Sequence, residues 1–283
     1  MAAMMAPEAP TSQAALKAMR ERLGLDRPWP VRYGEWLLRL TQGNLGYSYF
    51  ELKPVNQLLK IYLGPTLELM GLSLAASFIL GLLLGTLAAV RPYSFLDNIL
   101  TVFGFAGRSL PDFFLALVLI YIFALRFKVL PVSGMQTPGI WSFSDHVQHL
   151  ILPMMTLTLL RVVVFMRYTR ASLLEELHCD YIRTARAKGL PERTIIWKHA
   201  LRNGLIPIIT ILGVNIPILF TGAVVTETIF QWPGLGMLYV VSVRHRDYPV
   251  VMALSLLTAV AVLLSNLIVD IGYALIDPRV RYE

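Results

Sequence analysis

The chain alternates between long apolar runs and one long polar interruption. Leu69 to Val90 is 22 residues without a charge, Gly204 to Thr226 is 23, and Val250 to Val269 is 20. As helices, each is long enough to cross the roughly 30 Å apolar layer of a bilayer. Two further runs are nearly as apolar. Ile99 to Leu125 is interrupted by Arg108 and Asp112, and Leu150 to Tyr168 by Arg161 and Arg167. The pattern predicts an all-α polytopic membrane protein with five transmembrane helices. It separates an N-terminal segment, 1–65, from a transmembrane domain, 66–283. Within the first, Leu16–Leu25 (LKAMRERLGL) and Arg32–Leu40 (RYGEWLLRL) read as short amphipathic helices. The segment lacks the apolar core of a signal peptide.

The polar interruption, DYIRTARAKGLPERTIIWKHALRNGLIP from Asp180 to Pro207, reads as two helices, Ala171–Lys188 and Pro191–Leu201. Gly189 suits a helix C-terminus, and Pro191 suits the first turn of the next helix. A helical loop of this kind can dock as a rigid lever and take force from a soluble partner. The plainer reading is an amphipathic helix resting on lipid.

Composition narrows the class. The 283 residues are 56% hydrophobic and 15% charged, with mean hydropathy +0.61, which excludes an ordinary soluble domain. Of the net charge of +7, much lies in one place, since Arg170 to Arg202 holds seven Lys/Arg. Counting only residues close to a span, the face that includes 170–203 carries ten Lys/Arg and the opposite face six. That asymmetry makes 170–203 a cytoplasmic loop and 1–65 extracytoplasmic. The basic patch lacks a nucleic-acid-binding fold, so nucleic acid is not an expected partner. The single cysteine, Cys179, forms no intrachain disulfide, and with His178 alone it builds no metal site. No GxxxxGK[ST] phosphate loop is present, and His146 and His149 stand in no catalytic motif. No catalytic residue is expected.

Polar residues inside spans are functional candidates, because burying an unpaired charge costs several kcal/mol. Arg108 and Asp112, spaced i, i+4, are read as a pair along one helix face or as lining a path with Asn215 and Pro217. Arg161 is expected to snorkel to the interface. Asn215, Asn266 and Asp270 are expected to bond between helices. Pro207 and Pro217 mark kinks. Glu227, Trp232, Pro233 and Gly234 read as a tight external loop that contacts a partner or caps the path.

The interruption resembles the signature of a known family, the permease subunits of binding-protein-dependent ABC importers in the dipeptide/oligopeptide/nickel branch. Arg183-Thr184-Ala185 stands at the family's EAA triplet, Gly189 at its glycine, and His199-Ala200-Leu201-Arg202-Asn203 at its hydrophobic end. The Glu of the triplet is missing, which matches the YIRTARAKG of the peptide branch. Other stretches resemble the branch in family order: LGLDRPWPVRYGEWLLRLTQGNLGYSY from Leu23, PTLEL from Pro65, SLPDF from Ser109, LPVSG from Leu130, ETIFQWPGLG from Glu227, RDYPVV from Arg246 and DPRVRY from Asp277. Family members usually carry a sixth span ahead of the LGLDRP region. That leads us to expect that Met1 is an internal or truncated start.

The resemblance implies a type I ABC importer permease in the bacterial inner membrane, moving peptides or a similar small solute by alternating access. It implies a second homologous permease, two ABC ATPases and an extracytoplasmic substrate-binding protein as partners, besides the lipid bilayer. ATP and Mg would sit on the ATPases, with no cofactor in this chain. Asp180, Arg183, Ala185, Arg186, Gly189, Leu190, Pro191, His199 and Leu201 would form the ATPase-coupling loop, with Arg183 and Arg186 pairing with acids of the ATPase. An ion-coupled secondary transporter is the alternative. It would need buried acids suited to ion coupling and inverted repeats.

Overall fold

The computed structural model describes residues 26–140 and 142–276, so the predicted helix at Leu16–Leu25 and the DPRVRY stretch lie outside the described residues. The helices are α1 (Trp29–Thr41), α2 (Val55–Val90), α3 (Phe95–Ser109), α4 (Asp112–Leu119, continued by a π-helical turn Ile120–Arg126), α5 (Phe143–Glu176) and α6 (Asp180–Ala187). They continue as α7 (Glu192–Phe220), α8 (Val224–Ile229), α9 (Leu235–Arg244) and α10 (Tyr248–Ile276). Among the described residues the only β feature is an isolated bridge between Tyr47 and Pro54.

Among the described residues four helices are long and apolar enough to cross a membrane: α2, α5, α7 and Tyr248–Val269 of α10. The expected fifth span, Ile99–Leu125, is not a single helix. Leu110 takes ψ 131 between α3 and α4. Pro111 causes the break: it has no N–H to donate and it disfavours helical backbone at the residue before it. Arg108 and Asp112 therefore lie on two different helices, and the i, i+4 geometry expected of them does not exist.

Two more boundaries differ from expectation. The predicted helix Ala171–Lys188 is interrupted at Leu177–Cys179, so its first part completes α5 and its second is α6. The predicted short helix Pro191–Leu201 and the span that begins at Gly204 are one helix, α7. It crosses Ile195–Ala200 as a π-helical stretch, and it ends in a 3-10 turn at Pro217–Phe220 rather than reaching Thr226.

The core of the fold is the α2–α5 pair. Ser73, Ser77, Gly81, Gly85 and Ala89 recur every four residues along α2, and all five are buried. That row of small side chains lets the two backbones approach, as close-packed membrane helices require. A Cβ on Gly81 would lie 2.3 Å from Phe165 Cβ, and one on Gly85 2.5 Å from Thr169 Cβ. Thr158 Oγ1 donates to the Ser73 carbonyl at 3.4 Å, at a level nearer the start of α2.

These contacts also fix direction. Glu68, near the start of α2, meets His146, near the start of α5, at 2.7 Å. Ala89, near the end of α2, packs in one cluster with Leu173, near the end of α5. The two helices run parallel, α3 and α4 make the return between them, and α7 and α10 complete the bundle. One end of the bundle gathers the 91–94 turn, α6 and the start of α7. The other gathers α8, α9 and the 42–54 loop.

Candidate functional site

At the first end, α6 is short, and one face of it carries the packing. Ile182 and Ala185 are buried with Ala89, Leu173, Ile195, Ala200 and Leu201. A larger side chain at Ala185 would lift α6 off this cluster. The opposite face is charged and exposed. Arg183 Nη1 pairs with Asp180 Oδ1 at 3.3 Å, and Arg186 Nε with Glu192 Oε1 at 2.8 Å. Both guanidiniums, expected to face an outside partner, thus have acids within the chain.

The helix ends in a Schellman motif. Gly189 sits at φ +75, its N–H donates to Arg186 O at 2.9 Å, and the Leu190 N–H donates to Ala185 O at 3.3 Å. Only a residue tolerant of the left-handed region fits that place. Pro191 follows at φ −65, ψ 140 as the N-cap of α7. Gly189, which tolerates the left-handed turn, and Pro191, whose ring fixes φ, thus shape the corner between α6 and α7 on either side of Leu190. Tyr181 donates its hydroxyl to Glu176. Burial and that carboxylate push the phenol up to about 12, so it stays a neutral donor. His199 is half-buried and has no hydrogen-bond partner among the described residues.

The 91–94 turn is tied to α5 by a residue that sequence reasoning passed over. Asp97 is buried and receives Arg170 Nε at 2.7 Å and Nη2 at 2.8 Å, a bidentate pair. Its Oδ2 also accepts the Tyr93 N–H at 2.8 Å. The Arg170 guanidinium beside it holds the Asp97 carboxyl below the usual carboxylate range.

At the other end, Glu227, Trp232 and Gly234 lie at the end of α8 and in the turn to α9, where a tight external loop is expected, with the first two side chains turned inward. Glu227 and Trp232 are fully buried. Glu227 Oε1 accepts from Thr66 Oγ1 and the Ala223 N–H, both at 3.1 Å, and Oε2 from the N–H groups of Gly236 at 2.7 Å and Met237 at 3.1 Å. Thr66 Oγ1 in turn accepts the Leu235 N–H at 2.7 Å, and Trp232 Nε1 donates to Pro65 O at 2.9 Å. Burial pushes the Glu227 carboxyl above the usual range, against the pull of its four donors. A Cβ on Gly234 would lie 2.3 Å from Glu227 Oε2, so only glycine allows the wrap. The cluster clasps α8 and α9 onto α2. A similar tie holds the N-terminal loop: buried Asp247 accepts the Ser48 hydroxyl and the N–H groups of Tyr49 at 3.2 Å and Phe50 at 3.3 Å. The signals for Thr66 and Asp247 lay in the PTLEL and RDYPVV stretches; nothing in the sequence marked Asp97.

The path candidates are dispersed. Asn215 Nδ2 donates to its own helix at Ile211 O, 2.7 Å, and not to a neighbour. Pro217 opens the 3-10 turn. Asp112 starts α4 and is exposed. Arg161 is half-buried, with Nη2 3.8 Å from Met70 Sδ, so it is held against α2. Asn266 is exposed.

Residues 81–282 match the family described as the inner membrane component of binding-protein-dependent transport systems. The chain belongs to that family. Full-length similarity agrees. The permease is 42% identical over 284 residues to the oligopeptide transport system permease protein AppB of Bacillus subtilis, covering 100% of this chain and 89% of that one. It is 40% identical to the glutathione transport system permease protein GsiC of Pectobacterium atrosepticum, covering 95% and 85%. It is 39% identical to the di/tripeptide transport system permease protein DppB of Pseudomonas aeruginosa, covering 93% and 84%. Its fold is that of ABC importer permeases. An amino acid ABC transporter chain superposes with TM-score 0.56 at 15% identity, over 77% of this permease and 93% of that chain. The MetNI methionine ABC transporter, in an inward-facing conformation, gives 0.55 at 19%, over 76% and 95%. Nothing in these relationships favours the ion-coupled alternative.

Proposed function

We propose that this permease carries peptides, or a solute of similar size and polarity, across the bacterial inner membrane by alternating access. Its relatives are named for oligopeptides, di- and tripeptides and glutathione, which share a peptide backbone. The working unit in this reading is a pair of related permeases, two ATPases on the cytoplasmic side and a substrate-binding protein on the outer side. ATP and Mg belong to the ATPases, which this chain meets through 170–203.

The observation that carries the reading is the continuity of α7. Its first turns share a packed cluster with α6, and its later turns cross the membrane. A displacement imposed on α6 is passed through the Gly189–Pro191 corner into a membrane span, with no flexible linker to absorb it. The ligand moves because the two orientations differ in affinity for nucleotide and for the binding protein. The test is uptake of a labelled peptide by proteoliposomes holding the whole assembly. ATP-dependent accumulation that stops when the binding protein is omitted supports the reading. Accumulation driven by an ion gradient without ATP contradicts it.

A further inference from the structure

Where α2 ends and α7 begins, the two helices and the turn before α3 enclose a groove of about 670 Å³. Leu87, Val90, Phe95, Leu96, Ile196 and Trp197 line it, together with Arg91 and Arg193. A second hollow of about 500 Å³, formed by Arg193, Thr194, Trp197 and Lys198, adjoins it through the shared Arg193 and Trp197. Arg91, Arg193 and Lys198 have no ion-pair partner among the described residues. The acids on these same elements are engaged elsewhere, Asp97 by Arg170 and Glu192 by Arg186. The groove is therefore left cationic.

Thr86 supplies an independent observation. It lines the groove, its hydroxyl is buried, and that hydroxyl has no hydrogen-bond partner among the described residues. A buried polar atom without a partner calls for one. The height of the groove is also informative. The apolar run of α2 stops at Val90, and Tyr93, Phe95 and Trp197 are exposed beside it. Aromatic side chains at the end of an apolar helix mark the membrane–water boundary.

We propose that this groove holds an anionic phospholipid, with its phosphate on Arg91, Arg193 and Lys198, an acyl chain along the apolar walls, and an ester oxygen accepting from Thr86. Basic pockets between membrane helices at the interface bind such headgroups. The apolar walls favour a lipid over a free phosphate ion, and the unpaired cations favour an anionic over a zwitterionic headgroup. The lipid would join the 91–94 turn to the first turns of α7, the stretch that leads from the coupling corner into the membrane.

Native mass spectrometry of the transporter purified with its partner subunits tests this, by titration with phosphatidylglycerol or phosphatidylcholine of matched chains. Phosphatidylglycerol is expected to bind more tightly. The Arg91→Gln/Arg193→Gln double variant should lose about 30-fold in affinity for it, about fivefold per cation removed. Both arginines are exposed, so an unchanged unfolding temperature is expected. Arg126→Gln/Lys128→Gln, an equal charge loss outside the groove, should leave binding as it was. Thr86→Val should weaken both lipids a few-fold. Equal affinity for the two headgroups, or wild-type binding by the double variant, would overturn the proposal. So would crosslinking of Leu87→Cys to a protein subunit in place of a photoreactive phosphatidylglycerol.

Discussion

At the residue scale, small side chains do the most. Gly81→Leu places a side chain where a Cβ already lies 2.3 Å from Phe165 Cβ, so α2 and α5 must separate. It should yield aggregated protein on size exclusion. Gly71→Leu, with nothing within 4 Å of its Cβ, should elute like wild type. Glu227 is the second case. Glu227→Ala strands four donors, two buried and two half-buried, at about 1–3 kcal/mol for each buried group left unsatisfied, so the clasp on α2 should open and the unfolding midpoint fall sharply. Glu227→Gln should fare little better, because one end of its amide is a donor facing other donors. Neither residue was legible as structural from the sequence. The ETIFQWPGLG stretch marked Glu227 as special, but a carboxylate between apolar segments reads equally as surface or interior. Its burial follows from Thr66 and Gly236, which lie far from it in the chain or carry no side chain at all.

At the scale of elements, apolar length was readable and continuity was not. Leu69–Val90, Leu150–Tyr168 and Val250–Val269 lie inside α2, α5 and α10, because an uncharged run of about 20 residues has few other stable fates in a bilayer. The break at Leu110–Pro111 was written in Pro111, yet the apolar residues on both sides outweighed it in the reading. The small-residue row of α2 was also present in the sequence, hidden because glycine, serine and alanine do not lower hydropathy enough to stand out. The Asp97–Arg170 pair belongs to this scale, since it joins α3 to α5. Its lowered carboxyl pKa stabilises the fold above the ordinary value of 3.8, and that contribution is lost as pH falls through and below it. Asp97→Asn should cost about 2 kcal/mol, short of the roughly 3–5 of a fully buried pair because the Arg170 side chain stays 26% exposed. Thermal unfolding of wild type in detergent should weaken between pH 6 and the acid range by more than that of the variant. Equal slopes would remove the pair from the account.

At the scale of the whole molecule, the proposed mechanism passes motion through one corner, the turn between α6 and α7. Membership of the permease family was legible because several short motifs occur in order, each specific only in company. The proposed role of the loop rests on its geometry: α6 is packed by Ile182 and Ala185, a turn at Gly189 and Pro191 follows it, and α7 runs on from that turn as an apolar helix long enough to span a membrane. Gly189 is the place to strike, because a side chain there meets nothing within 4 Å and its φ of +75 alone is strained. Gly189→Ala should cost only about 1 kcal/mol of stability. The most direct measurement is co-purification of the tagged permease with its neighbouring gene products, comparing wild type with Gly189→Asp. Wild type is expected to bring down a second permease and an ATPase pair, and Gly189→Asp to keep the permease pair but release the ATPases. ATPases retained at wild-type levels by Gly189→Asp, with ATP-driven uptake intact, would contradict the proposed role of the loop.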